Sequence, residues 1–231
     1  NAEVQVATTP DGETYAYLAG WNDMHIVDVT DPMNTTVTGV YNDPNTQVLD
    51  VKYLEYNGRE YIIQQNQLID PGNSDPNIGQ WSDPAQVSVT LIDVTDKTNP
   101  VWIDSWYDVD HPTGPHNLYT HMINGEWYMV VANPDYDNCN DAIGEACGGV
   151  TIAHLNLAGS AANNIIGVPG VGSGQTIIKV GEYEVAWETT MGGWIYIHDM
   201  TVQTWPGNDP QDPRYERTYV YGAYWEAGVR I

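Results

Sequence analysis

Six histidines supply the side chains best suited to proton transfer or metal ligation near neutral pH: His25, His111, His116, His121, His154 and His198. Two of them stand in matching contexts. His116 opens HNLYTH and His198 opens HDMTV, each at the head of a run of alternating apolar residues, and Asp199 follows His198 directly. The corresponding places earlier in the chain hold Leu49-Asp50 and Ala2-Glu3. If these runs line a common axis, His116, His198 and Asp199 come together with Asn117, Asp50 and Glu3. Imidazole nitrogens and carboxylate oxygens in one place suit Zn²⁺ or another transition metal. The same residues also suit architecture: a polar side chain at the mouth of a strand can bond the backbone of the neighbouring element, and a buried polar group needs a partner in any case. Architecture is the preferred use, because the more specific HxH and HExxH spacings do not occur. His121, five residues past His116, falls on the opposite strand face, and His111 lies in the loop DVDHPTGPH.

A second chemistry is offered by acidic loops. NPDYDNCNDAIGEAC brings Asp135, Asp137, Asp141 and Glu145 within eleven residues, and alternating carboxylates and carbonyls of this kind suit Ca²⁺. DPGNSDPNIGQWSDP (70–84) and PGNDPQDPR, with Asp209 and Asp212, are weaker versions. Cys139 and Cys147 lie inside the first loop, at a spacing that suits a disulfide closing a small ring outside the cytosol. No CxxC pair is present to suggest zinc instead. Asn34-Thr35-Thr36 is a glycosylation sequon.

Other catalytic signatures are missing. There is no Gly-x-Ser-x-Gly elbow, and the Gly-rich GVPGVGSGQ (167–175) has neither the Lys-Ser/Thr ending nor the following helix of a phosphate loop. The charge narrows the partners further. Against 31 Asp and Glu stand 7 Lys and Arg, a formal net charge of -24, so nucleic acid and anionic membrane surfaces are disfavoured. No apolar run is long enough to cross a membrane as a helix. Such acidity fits a halophilic or saline setting, and it fits a secreted protein that binds Ca²⁺. Phe is absent, and 16 Tyr with 9 Trp carry the aromatic packing.

The elements that must position these residues are strands. Helical periodicity is almost nowhere found, and runs such as EVQVAT, YAYLAG, HIVDVT, VLDVKYLEY, REYIIQQ and EWYMVVANP alternate with period two between Gly, Pro, Asn and Asp clusters. They recur. MHIVDVTDPMNTTVTGVY (24–41) aligns with VTLIDVTDKTNPVWIDSWY (89–107), and VTIAHLNLAGSAAN (150–163) is a weaker copy with His154 in the place of the first Asp. A strand pair precedes each copy. Four antiparallel strands per unit predicts the blade of a β-propeller, with blades at about 2–41, 48–107, 116–185 and an incomplete 195–231. In each Asp-Val-Thr-Asp copy, Asp and Thr are expected to bond nearby backbone N–H groups and close the turn.

Leu91-Ile92-Asp93-Val94-Thr95-Asp96, Ile26-Val27-Asp28-Val29-Thr30-Asp31-Pro32, His198-Asp199 and Trp225-Glu226-Ala227-Gly228-Val229-Arg230-Ile231 together resemble LVIVD-repeat β-propellers. That resemblance implies a secreted or cell-surface protein. The expectation is therefore an all-β partial propeller of about three and a half blades. It would act as a non-enzymatic extracellular scaffold or binding module for protein or glycan partners at the cell surface, with Ca²⁺ in its acidic loops. The alternative is a metalloenzyme with a transition metal at the channel, held by His116, His198 and their neighbours. The run YVYGAYWEAGVRI at 219–231 matches the second strand and the start of the third strand of a blade. The expected whole is a longer propeller whose remaining blades come from the same or another chain.

Overall fold

A computed structural model of the chain describes residues 3–20, 23–42, 47–67, 89–106, 115–133, 149–158, 176–184, 197–224 and 228–231. They build four antiparallel sheets in chain order. The first holds β1 (Val4–Thr8), β2 (Thr14–Ala19), β3 (Asp23–Asp28) and β4 (Thr36–Asn42). The second holds β5 (Gln47–Tyr56), β6 (Arg59–Gln67), β7 (Val89–Asp93) and β8 (Val101–Trp106). The third holds β9 (Asn117–Ile123), β10 (Glu126–Asn133), β11 (Gly149–Leu155) and β12 (Ile177–Glu184). The fourth holds β13 (Ile197–Thr204), β14 (Thr218–Tyr224) and β15 (Gly228–Arg230). In each sheet, spatial order follows sequence order.

Local chemistry sets these meanders. Asn57-Gly58 and Asn124-Gly125 both take positive φ, 52° and 74° in one and 53° and 85° in the other. Two consecutive positive φ values make the hairpin turn whose twist matches that of the flanking strands, and Asn-Gly is the pair that adopts it most cheaply. The Asp-Val-Thr-Asp copies close their turns as the sequence predicts. Thr30 N donates to Asp28 Oδ1 at 2.9 Å and Met33 N to Asp31 Oδ1 at 3.0 Å. Sixty-five residues on, Thr95 N donates to Asp93 Oδ1 and Thr98 N to Asp96 Oδ1, both at 2.9 Å. The threonines return the favour to the preceding hairpin: Thr14 N donates to Thr30 Oγ1 at 2.9 Å, and Glu60 N to Thr95 Oγ1 at 3.0 Å. A bulge then recurs in the fourth strand of three sheets, opposite Ile26/Val27, Leu91/Ile92 and Ile152/Ala153.

The sheets stack face to face. β5 adjoins β1 and β2, β9 adjoins β5, and β13 adjoins β9, so the first strands of successive sheets run side by side. Three apolar clusters fill the gaps between sheets. Tyr17 and Ile26 meet Val51 and Ile62 between the first and second sheets. Leu54 and Ile63 meet Leu118 and Met129 between the second and third. Val130 and Ala132 meet Met200 and Val202 between the third and fourth. Each large side chain buried there contributes about 1.5–3 kcal/mol. Strands alternate between a face turned to the preceding sheet and one turned to the following sheet, so every interior sheet is apolar on both. This is a partial β-propeller, and the first strands line its inner side.

Candidate functional site at the inner strands

The polar residues at the mouths of the first strands occupy one repeat position. Asp50 lies opposite Gln65, Asn117 opposite Ala132 and Asp199 opposite Ala223, while the Glu3 carbonyl accepts from Ala19 N at 2.9 Å. A bulge falls at Val48/Asp50 and again at Ile197/Asp199, so Leu49 and His198 are the extra residues. Bulges of this kind re-aim side chains at strand ends.

Asp50 is the centre of a stitch through three sheets. Its carboxylate is 1% exposed and accepts from Lys52 Nζ at 2.6 Å through Oδ1. Its other oxygen accepts from Leu118 N, in β9 of the next sheet, at 3.0 Å. Lys52 Nζ also donates to Glu3 Oε1 of the first sheet at 2.6 Å. Burial pushes the Asp50 carboxyl up, while Lys52 and the Leu118 N–H pull it back. Burial likewise works against the Lys52 ammonium, but Asp50 and Glu3 outweigh it and hold the amine charged. These two tendencies conflict, since a protonated Asp50 would not hold Lys52. Two donors aimed at the two Asp50 oxygens fit the ionised carboxylate, and that is the form the geometry supports. The Gln65 side-chain amide adds a second tie by donating to the Pro115 carbonyl.

His116 and His198 do come together, ring centroids 4.7 Å apart and edge to face. His116 N donates to the Ala132 carbonyl at 2.8 Å. Burial and then repulsion from His198 push the His116 imidazole down to about 4, against the pull of Asp199, so the ring is neutral at pH 7. The Asp199 carboxylate is exposed and accepts from the neighbouring Met200 N at 2.7 Å. Among the described residues no group of three or more His, Cys, Asp or Glu side chains is arranged to hold a metal ion.

The remaining histidines are placed for structure. His121 Nε2 lies 2.9 Å from Thr204 Oγ1, joining the third sheet to the fourth. His154 Nε2 lies 3.1 Å from Glu126 Oε2 and its ring tilts over Tyr128 at 5.1 Å. His154 holds the repeat position of Asp93, since it pairs with Tyr128 as Asp93 pairs with Tyr61. Asp93 meets Arg59, whose Nε donates to Oδ2 at 3.0 Å with a second guanidinium N–H on the same oxygen. The third sheet thus repeats the ion pair of the second with its polarity reversed. His25 Nε2 sits 3.2 Å from Asp23 Oδ2.

Asp135, Asp137, Asp141 and Glu145, with Cys139, Cys147 and His111, lie outside the described residues, as do loop 70–84, loop 167–175 and Trp225. In the third acidic loop, Asp209 Oδ1 accepts from Gln211 N at 2.9 Å. Both oxygens of Asp212 are engaged by the Arg214 guanidinium, at 3.0 and 2.7 Å, and hydrogen bonds from Arg214 hold this carboxyl down at about 2. Arg214 in turn lies over the Trp205 ring at 4.0 Å. Asn34 is exposed in the turn after Asp31, and its side-chain amide donates to Asp31 Oδ2 at 2.6 Å.

Two arrangements escape a reading of the sequence. One is the buried Lys97, which donates to Glu60 Oε2 at 2.8 Å and to the Val94 carbonyl at 2.9 Å and lies 5.2 Å from the Tyr15 ring centre. The other is a buried polar ladder in the second sheet: Gln64 to Asn66 at 2.9 Å, Asn66 to Thr90 at 3.2 Å, Thr90 to Ser105 at 3.4 Å and Trp102 Nε1 to Ser105 at 2.9 Å. The ladder has no sequence signature. Lys97 had one in its scarcity: Lys52, Lys97, Lys179, Arg59 and Arg214, out of only 7 basic residues, all pair with carboxylates.

Residues 12–43 match the family model described as LVIVD repeat. The match takes in β2, β3, β4 and the Asp28–Asp31 turn, which are three of the four strands of the first sheet. A search of curated proteins finds no match. With that match on one of its four sheets, and its turn hydrogen bonds repeated in the second, this chain belongs among the LVIVD-repeat proteins.

Proposed function

We propose that this chain is a non-enzymatic scaffold or binding module at the cell surface or in the extracellular matrix. A rigid propeller presents loops on two faces, and those loops are where protein or glycan partners are met. The supporting observation is the Glu3–Lys52–Asp50–Leu118 chain. At the inner strands, where a propeller enzyme would gather its acids and bases, these side chains are spent on tying three sheets together. The loop from Asp135 to Glu145, closed by a Cys139–Cys147 disulfide, is the favoured Ca²⁺ site, and a net charge of -24 draws cations to the surface generally.

The second reading, a metalloenzyme at the channel, is favoured by one observation: the 4.7 Å pair of His116 and His198, with His116 neutral and therefore in the form that ligates metals. Metal analysis of the purified chain separates the two. Ca²⁺ alone, lost on Asp135→Asn with Asp137→Asn and indifferent to His116→Ala, supports the scaffold. One Zn, Cu or Fe per chain that disappears in both His116→Ala and His198→Ala overturns it in favour of the enzyme.

A further inference from the structure

The chain builds the same sheet-to-sheet interface three times, and it carries one unused half of that interface at each end of the stack. The first half is on the first sheet. Val4 in β1 lies opposite Leu18, as Val51, Leu118 and Met200 lie opposite Gln64, Val131 and Gly222 in the other three sheets. Each of those three equivalents is covered by the preceding sheet and is 0%, 0% and 6% exposed, whereas Val4 is 52% exposed. Val6 is 54% exposed, and its fourth-sheet equivalent Val202 is 5%. Leu18 and Val40 continue the same open row across β2 and β4, through His25.

The second half is on the fourth sheet. Thr14-Tyr15-Ala16-Tyr17-Leu18-Ala19 of β2 recurs as Thr218-Tyr219-Val220-Tyr221-Gly222-Ala223 of β14, with Thr14 opposite Thr8 and Thr218 opposite Thr204. Tyr17 and Ala19 are buried against the second sheet. Tyr221 is half-buried and Ala223 exposed, on a face of β14 that turns away from the third sheet.

We propose that the open face of the first sheet receives the open face of the fourth sheet of a second copy of this chain. The two faces are the opposite halves of one interface already present in the molecule, and a second copy offers each the half it lacks. Two such contacts related by a two-fold axis along the channel close a ring of eight sheets, a size that propellers are known to reach. The contact is heterologous, Val4 and Val6 against Tyr221 and Ala223, and it occurs twice. Net charge opposes it in dilute buffer, so association strengthens as salt screens the carboxylates.

Light scattering on the 231-residue chain, from dilute buffer up to molar NaCl, tests this. A mass rising to twice 25.6 kDa with salt is expected. A chain that stays at 25.6 kDa throughout, whether left bare or covered by a different protein in its natural setting, overturns the proposal. Val4→Glu and Tyr221→Glu alter half-exposed or exposed surface, so circular dichroism should be unchanged while each variant alone is monomeric. Mixing the two variants restores one wild-type contact and should return part of the dimer. A dimer that survives either substitution, or variants that fail to associate on mixing, overturns the head-to-tail arrangement.

Discussion

Asp50 and Asp199 hold the same position in the second and fourth sheets, beside the same bulge, yet they do different things. Asp50 is buried, takes Lys52 on one oxygen and reaches across to the Leu118 N–H of the next sheet on the other. Asp199 is exposed and folds back on the Met200 N–H one residue away. The difference lies in what stands beside each. A carboxylate at the mouth of an inner strand becomes a tie when another sheet lies alongside, and stays a local turn group when none does. An acidic residue at a propeller's inner strand is therefore not in itself a catalytic signal.

The largest test of that contrast is to remove both carboxylates. Asp50→Ala leaves Lys52 half-paired and the Leu118 N–H without its acceptor, and breaking a buried pair in this way costs about 3–5 kcal/mol. Asp199→Ala removes an exposed group and is expected to stay within about 0.5 kcal/mol. Urea denaturation of the two variants measures both. Equal losses would show that the position matters for its own strand rather than for the neighbour.

A smaller contrast comes from two glycines. Gly39 and Gly181 both sit beside the recurrent bulge in the fourth strands of their sheets, opposite Ile26 and Ile152. A Cβ on Gly39 would lie 2.1 Å from the Lys97 carbonyl oxygen of the second sheet, whereas a Cβ on Gly181 meets nothing within 4 Å. Gly39→Ala must therefore push two sheets apart and is expected to cost about 1–3 kcal/mol. Gly181→Ala should be neutral or stabilise by up to about 1 kcal/mol through the unfolded chain. Thermal melts that reverse this order would show the first two sheets to be less closely fitted than Gly39 and Lys97 imply.

Much of this architecture is legible in the residues because the repeat is local. Period-two alternation, the Asn-Gly turns and the Asp-Val-Thr-Asp copies each act within a few residues, so the strands, the hairpins and the Asx-closed turns follow from the sequence. The shared position of Asp50 and Asp199 follows from the same alignment. What does not follow is the partner. Lys52 to Glu3 spans 49 residues and Leu118 to Asp50 spans 68, and both depend on how sheets lean together. The same is true of Lys97 with Tyr15 and of the Gln64–Asn66–Thr90–Ser105 ladder. His116 and His198 were legible as a pair, because they open equivalent strands. That Asp199 turns away from a common ligand set was not, since this depends on the side chain bonding to Met200 N.

The smallest predicted effect concerns that histidine pair and comes from acid. His116 is covered by the fourth sheet and held to about 4, well below its ordinary 6.5, first by burial and then by His198. Because the folded state prefers the neutral ring, the unfolded chain binds more protons between these two values. The contribution of His116 is therefore intact above about pH 6.5 and is lost as pH falls toward about 4. After allowance for the ring's partial exposure, the loss is on the order of 1–2 kcal/mol. Falling pH also discharges carboxylates in a chain of net charge -24, relieving repulsion, so the raw stability curve mixes opposing slopes. The useful quantity is the difference between the wild-type chain and His116→Asn, both stripped of metal with EDTA, measured from pH 7 to pH 5. Wild type should lose stability relative to the variant over that interval. Parallel curves would mean that His116 titrates as an ordinary exposed imidazole and that the fourth sheet does not cover it in solution.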